Sequence, residues 1–147
     1  MESNAIDVII EDLFHVVRLI HKKLLRGGLE GAQKDISRPH FAIMTRLDEL
    51  EASPVSEIGK RLLIPKPQMT HLVDKLIRLG LVERLPDTQD RRIINIALSD
   101  KGKITLQKCR KSVRNNMRKK LSCLKDEELE ELSVSLRKIR DIGSKLG

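Results

Sequence analysis

The sequence predicts a mainly α-helical protein with one small β-hairpin, and three observations lead to that fold class. Apolar residues recur at steps of three and four through most of the chain, which is the period of a helix with one buried face. Two short runs at 81–85 and 92–98 have the composition of strands and flank turn residues. Phe14 and Phe41 are the only aromatic residues, so the core must consist of Leu, Ile, Val and Met, which suits helix packing.

The composition favours a polyanionic partner. Lys and Arg number 29 against 21 Asp and Glu, which gives a formal net charge of +8. An excess of this size attracts nucleic acid or an anionic membrane surface. The near absence of aromatic rings argues against proteins that bind single strands or RNA by stacking bases. Apolar runs are too short to cross a membrane, and the N-terminus lacks the basic start of a signal peptide, so we expect a cytoplasmic protein with reduced cysteines.

The first fifty residues predict two helices with a flexible connection between them. Residues 5–25 carry one wide apolar stripe, and the glycines of 27–31 end that helix. Ser37 and Pro39 are typical of a helix N-cap and first turn, and a helix follows to Leu50. We expect residues 52–54 to break it.

Residues 56–79 predict a short helix, a tight turn and a longer helix. The first of these runs from Ser56 to about Leu63, and the two prolines of 64–67 interrupt the chain. Gly80 follows the second helix where a left-handed C-terminal cap is expected. This arrangement is a helix-turn-helix, whose second helix fits the DNA major groove, roughly 12 Å wide.

The polar face of the second helix supplies the candidate DNA contacts. If its apolar residues face the core, the residues from Gln68 to His71 lie where base edges would be reached. Phosphate contacts are assigned to Lys66, Thr70 and Lys75. The candidates on this helix are therefore Lys66, Gln68, Thr70, His71 and Lys75. The alternative is an ordinary solvated helix face.

The hairpin carries charged residues at its tip, and Asp90, Arg91 and Arg92 are the candidates there. An arginine on a projecting hairpin suits the narrow, electronegative minor groove, and a neighbouring aspartate can hold it extended. The alternative is a solvated loop with surface ion pairs of small energy. The order of elements predicts a winged helix-turn-helix DNA-binding domain at 37–98, with helical dimerisation regions at 1–36 and 99–147.

Residues 37–102 resemble the winged-helix core of the MarR (multiple antibiotic resistance regulator) family. The similar stretch is VSEIGKRLLIPKPQMTHLVDKLIRLGLVERLPDTQDRRIINIALSDKG. The family's wing pattern D-x-R-D-R-R appears as D-T-Q-D-R-R, with Gln89 at the third position, and L-T-x-x-G appears as L-S-D-K-G. The resemblance implies that Arg92 enters the minor groove, supported by Asp90 and Arg91.

The same resemblance implies a regulator of transcription, a repressor that binds a pseudo-palindromic site on double-stranded DNA as a homodimer. His71 and Gly59 stand where many members have Arg and Ala, which leaves the DNA sequence open. The apolar stripes of 5–25 and of Leu129 to Leu146 exceed what a small core needs, so we expect them to form the dimer interface. The alternative is a monomer that folds both stripes back onto its core.

Residues 101–120 contain nine Lys or Arg and no acidic residue. They form either a solvated face or an additional phosphate-binding surface, and the second reading allows a non-specific DNA-coating protein as an alternative function. We read Cys109 and Cys123 as structural rather than as a redox switch. No metal, cofactor or enzyme activity is expected, because no four-ligand pattern, phosphate-binding glycine loop or catalytic constellation occurs.

The resemblance also implies release of DNA by a small aromatic ligand. In similar proteins such a ligand binds between the dimerisation helices and the winged core. The candidate lining residues lie on the first two predicted helices and are His15, Arg18, His40 and Met44.

Overall fold

A computed structural model describes residues 2–147 and confirms the predicted fold class. Over that range, the chain forms six α-helices and one small antiparallel sheet. In chain order the elements are α1 (Glu2–Ile20), α2 (Arg38–Leu50), β1 (Ala52–Pro54), α3 (Val55–Leu62), α4 (Lys66–Arg78), β2 (Val82–Pro86), β3 (Ile94–Leu98), α5 (Asp100–Leu121) and α6 (Asp126–Gly143). A π-helical turn, His21–Leu25, continues α1. Within the described range, no helix combines the length and apolarity needed to span a membrane.

The chain divides into two compact units. Residues 27–114 form the central unit, and the N-terminal residues up to Arg26 form the terminal unit with 115–147. The core of the central unit extends beyond 37–98, because Leu29, Ile36 and Leu106 are buried in the same apolar cluster as the middle of the unit. The assignment of DNA binding to 37–98 and of dimerisation to 1–36 and 99–147 stays a prediction.

Helix α2 begins as the sequence predicts. The backbone of Ser37 is extended, and its N–H donates to Nδ1 of His40 at 3.0 Å. The Ser37 hydroxyl lies 2.7 Å from the same nitrogen. His40 therefore fills the third helical position of a capping box, which Glu or Gln usually occupies. Its side chain is buried, and the helix buries Ile43 and Met44 in the core of the central unit.

The sheet has three strands in the order β1-β3-β2, and one of them was not predicted. Residues 52–54 were expected only to break a helix, but they form β1 and pair with the end of β3, Ala52 facing Ala97. This corrects the prediction of a two-stranded hairpin. The added strand covers the second edge of β3, and a third strand stabilises a sheet that would be marginal with two. Residues 92 and 93 lie in the turn before β3 instead of in a strand.

A compact junction connects the end of α4, the start of β2 and the start of α5. Gly80 adopts the left-handed conformation predicted for a cap, with φ of 73°. The Ser99 hydroxyl donates to the carbonyl oxygen of Gly80 at 2.6 Å and accepts from the N–H of Gly102 at 2.9 Å. The backbone N–H of Ser99 donates to the carbonyl of Leu81 at 3.0 Å. Gly102 is required here, because a Cβ atom at that position would lie 2.0 Å from the Leu81 carbonyl oxygen.

We expect Gly102→Ala to lower the free energy of unfolding by at least about 1–3 kcal/mol, because the added methyl group has no room beside a backbone carbonyl. The matched control is Gly143→Ala in α6, where a Cβ would meet no atom within 4 Å. That variant should be neutral or more stable by up to about 1 kcal/mol, as alanine favours helix. Urea unfolding of both variants tests this, and equal stabilities would contradict the proposed packing.

We expect acid to destabilise the central unit through His40. Burial, and secondly the nearby positive charge of Lys75, lower the pKa of His40 from its ordinary 6.5. The unfolded chain therefore takes up a proton at a pH where the folded chain does not. The contribution of neutral His40 to the free energy of unfolding is complete above pH 6.5. It is lost as the pH falls from there toward the lowered pKa of the folded state.

The control is His40→Gln, which keeps a side-chain acceptor for the Ser37 N–H but cannot titrate in this range. Urea unfolding at about pH 8 and about pH 5 should show a smaller acid loss in the variant than in the parent protein. An unchanged acid loss in His40→Gln would assign the effect to other groups.

Candidate nucleic-acid interface

Helix α4 has the two faces that the sequence predicts. Met69, Leu72, Val73 and Leu76 are buried in the central core. Gln68, Thr70 and His71 are exposed on the opposite face, within the first two turns of the helix. The inward residues fix the rotation of the helix, so the polar side chains near its N-terminus remain available for a ligand.

The two lysines assigned to phosphate contacts differ in environment. Lys66 is exposed at the first position of α4, and the hydroxyl of Thr70 donates to its carbonyl at 3.1 Å. Lys75 lies half-buried two turns further on, close enough to His40 to lower the pKa of that imidazole. The DNA-contact roles of these residues stay predictions.

The loop between β2 and β3 is organised by the carboxylate of Asp87. One oxygen accepts from the backbone N–H groups of Gln89 at 2.8 Å and of Asp90 at 3.2 Å. The other accepts from the side-chain amide of Asn95 at 3.4 Å. The bonds from the amides of Gln89 and Asp90 lower the pKa of Asp87 below its ordinary value. This structural role of Asp87 was not predicted, although an Asp two residues before a bonded N–H is typical of such turns.

At the loop tip, Asp90 holds Arg92. One carboxylate oxygen of Asp90 accepts from the Arg92 backbone N–H at 2.9 Å and from Nε at 3.3 Å. The Arg92 side chain is nonetheless 91% exposed, so the guanidinium is oriented without being covered. Arg91 is exposed and, among residues 2–147, has no ion-pair partner. The wing therefore presents two guanidiniums to solvent, one of them held in place.

An ion pair that the sequence analysis missed connects the wing to α4. Nη2 of Arg84, on β2, lies 2.8 Å from Oδ1 of Asp74. Both side chains are about half exposed, so the pair contributes little to stability. It is a direct side-chain contact between β2 of the wing and α4. Charges ten residues apart on two different elements give no periodic signal in the sequence.

The helix, the turn before it and the wing enclose one groove of about 900 Å³. Lys66 and Thr70 of α4 line it from one side and Arg92 of the wing from the other. Of the predicted contacts, Lys66 and Thr70 of the helix and Arg92 of the wing therefore face the same space. The groove is not lined by Gln68, His71, Lys75, Asp90 or Arg91.

The four candidate ligand-binding residues are divided between the two units. His15 and Arg18 are exposed on α1 in the terminal unit. Met44 is fully buried in the core of the central unit, and His40 is occupied by the cap of α2. Their role in binding a ligand stays a prediction.

The two cysteines differ in exposure. Cys109 is fully buried in the central core, and that burial raises the pKa of its thiol, which keeps it protonated at neutral pH. Cys123 is exposed, and its thiol donates to the carbonyl of Lys120 at 3.0 Å. Across the part of the chain that the structure describes, no group of three or more His, Cys, Asp or Glu side chains forms a candidate metal site.

Sequence comparisons place the chain among known regulators. Residues 36–94 match the model of the MarR family. The chain is 32% identical over 128 residues to the uncharacterized HTH-type transcriptional regulator YkoM of Bacillus subtilis, covering 86% of this chain and 83% of that protein. It is 26% identical over 124 residues to the HTH-type transcriptional repressor MdtR of the same organism, covering 84% of this chain and 80% of the other.

Solved structures have the same fold. Apo MarR from Escherichia coli is 25% identical with a TM-score of 0.71, covering 88% of this chain and 95% of that one. A mutant of that protein complexed with operator DNA is 24% identical with a TM-score of 0.63, covering 90% of this chain and 94% of the other. The family model, the relative YkoM and the common fold establish that the chain belongs to the MarR family of winged helix-turn-helix transcriptional regulators.

Proposed function

We propose that the protein is a sequence-specific regulator that binds double-stranded DNA as a homodimer and represses transcription from a pseudo-palindromic operator. One observation carries the proposal: the exposed start of α4 and the oriented Arg92 of the wing line one groove on one side of the central unit. A helix in the major groove and a wing arginine in the neighbouring minor groove require this arrangement.

The charge of the molecule supports DNA as the partner. The net charge of +8 favours a polyanion, and Lys66, Arg91 and Arg92 are exposed on the elements that would meet it. The relative MdtR is named as a transcriptional repressor, and a mutant of MarR was solved with operator DNA. These names support repression as the direction of regulation. The proposed action on DNA implies a cytoplasmic protein.

The homodimer is supported by the apolar surface of the terminal unit. Every residue of α1 from Asn4 to Leu19 is exposed in the isolated chain. Nine of these are large apolar side chains with 39–64% of their surface exposed. Helix α6 adds exposed Leu136, Ile139 and Ile142. Apolar surface of this extent is rare on a monomer. A second copy of the chain carries the same surface and can cover it in a symmetric dimer.

One functional detail rests on the family resemblance. We propose that a small aromatic ligand releases the DNA, and a thermal-shift screen with aromatic acids tests this through a rise in the melting temperature. A non-specific DNA-coating role is the second candidate, because α5 carries nine basic residues between 101 and 120. Such a protein would bind scrambled and native duplexes equally, with a steep dependence on salt.

We expect Arg92→Ala to weaken binding to an operator duplex by about 1–3 kcal/mol, because it removes the oriented wing cation. Fold and dimerisation should be unchanged, since Arg92 is exposed. Fluorescence anisotropy with DNA from upstream of the protein's own gene, after footprinting to locate the protected site, gives the affinity.

The matched control is Arg46→Ala, which removes an exposed arginine that also pairs with a carboxylate, that of Glu49, on α2. It should bind like the parent protein. A uniform footprint without a protected palindrome would refute specific binding, and full affinity of Arg92→Ala would refute the role of the wing.

We expect Leu13→Glu to dissociate the dimer, because Leu13 is 58% exposed in the isolated chain and an interface would bury it. Sedimentation velocity should show a monomer for this variant and a dimer for the parent protein and for the control Asp12→Asn. The monomer should also bind the operator more weakly, as it contacts one half-site at a time. A parent protein that sediments as a monomer, or a Leu13→Glu dimer, would contradict the proposed interface.

A further inference from the structure

The groove between α4 and the wing has apolar walls beneath a charged rim. Its lining includes Pro54, Val55, Leu63, Ile64, Ile93 and Ile94. Leu63, Ile93 and Ile94 are exposed. A groove whose only task was to display cations would not need these side chains, because each of them leaves apolar surface in water.

Leu63 is the residue that the fold explains least. Its side chain is 91% exposed, although leucine gains stability only when it is buried. Its backbone is left-handed, with φ of 55°, in the cap that ends α3. Glycine is the common residue at such a position, since a Cβ is unfavourable there. Leu63 therefore destabilises the folded chain in two ways, through backbone strain and through exposed apolar surface.

The charges around the groove define what the apolar walls face. Lys60 and Lys66 line it, and neither has an ion-pair partner in the part of the chain that the structure describes. Arg92 also lines it, with its guanidinium paired to Asp90, which lies outside the lining. Arg84 also lines it but is paired with Asp74. The occupant must therefore be anionic along its edge and apolar where it meets Leu63 and the two isoleucines. A sugar–phosphate strand has both properties, since phosphates alternate with the C–H faces of deoxyribose.

We propose that this groove holds one sugar–phosphate strand of the bound duplex and that Leu63 packs against its deoxyribose faces. The inference rests on the proposed DNA binding. In a duplex, one backbone strand separates each major groove from the adjacent minor groove. If α4 enters the major groove and Arg92 the minor groove, that strand crosses the space between them, where the groove lies. Leu63 thus contributes an apolar contact to DNA that charge alone does not provide.

The experiment compares Leu63→Gly and Leu63→Met on a duplex selected from a random pool by the parent protein. Leu63→Gly removes the apolar contact and relieves the backbone, so its affinity should fall about five- to tenfold while its melting temperature is no lower than that of the parent. Leu63→Met keeps an apolar side chain and should retain parental affinity. Ile104→Ala, an exposed apolar change on α5 outside the groove, is the control and should leave affinity unchanged.

The salt dependence separates an apolar contact from an ionic one. Leu63→Gly should shift the plot of log K against log salt without changing its slope, whereas Lys60→Ala should lower the slope by about one. Parental affinity of Leu63→Gly would overturn the inference. So would benzoate binding that depends on Leu63 while DNA binding does not, because the groove would then be a small-molecule site.

Failure of the proposed function gives a different result. In that case the pool yields no enriched duplex, which refutes the DNA site and the inference that rests on it together. An enriched duplex that needs Arg92 but not Leu63 refutes only the inference drawn from the groove.

Discussion

The position of the wing relative to α4 depends on the junction around Ser99. The Ser99 hydroxyl is hydrogen-bonded to Gly80, in the turn after α4, and to Gly102, in the first turn of α5. The backbone N–H of Ser99 donates to Leu81, just before β2. The approach is so close that only glycine fits at 102. Because both strands of the wing meet this junction, the direction of the hairpin is set there. The half-exposed ion pair from Arg84 to Asp74 adds a contact to α4 near the middle of β2.

Within this frame, the wing tip is built from charged side chains that bond to the backbone. Asp87 satisfies two N–H groups of the loop, and Asp90 satisfies that of Arg92 together with part of its guanidinium. Both aspartates therefore order a loop that has little apolar surface of its own to bury. This fixed conformation of the loop would raise the affinity for DNA, since an arginine that is already extended loses less conformational entropy when it binds. The loop's positive charge remains exposed, which is the property a minor groove attracts.

The sequence predicted those elements whose apolar residues recur at a regular spacing. The helices, the Ser37 cap, the Gly80 cap and the outward face of α4 follow from local spacing and from residues with a known backbone preference. Strand β1 was missed because three residues, one of them proline, carry no alternating pattern, and they become a strand only when β3 lies beside them. The groove escaped prediction for the same reason, since tertiary packing brings its walls together from five helices and strands.

The features of the candidate site also differ in whether the residue spacing could predict them. Exposure of Gln68, Thr70 and His71 could be predicted, because the neighbours that must be buried are evident from the sequence. The environment of His40 could not be predicted. The residue spacing indicates the helix that contains His40, but it indicates neither the hydrogen bond of Nδ1 in the helix cap nor the nearby Lys75 of α4. A residue such as Leu63, which is exposed and has a left-handed backbone, can be singled out only when both its exposure and its backbone conformation are known.

The central claim is that the start of α4 and the wing together form the DNA-binding surface. The most direct measurement is an NMR titration of the labelled protein with a bound duplex, following backbone amides one by one. The account predicts that the amides of 66, 68–71 and 87–93 shift together and saturate at the same DNA concentration, while those of 101–114 on α5 shift little. Shifts concentrated on the basic face of α5, with 66–71 unaffected, would contradict it and would favour a non-specific DNA-coating protein.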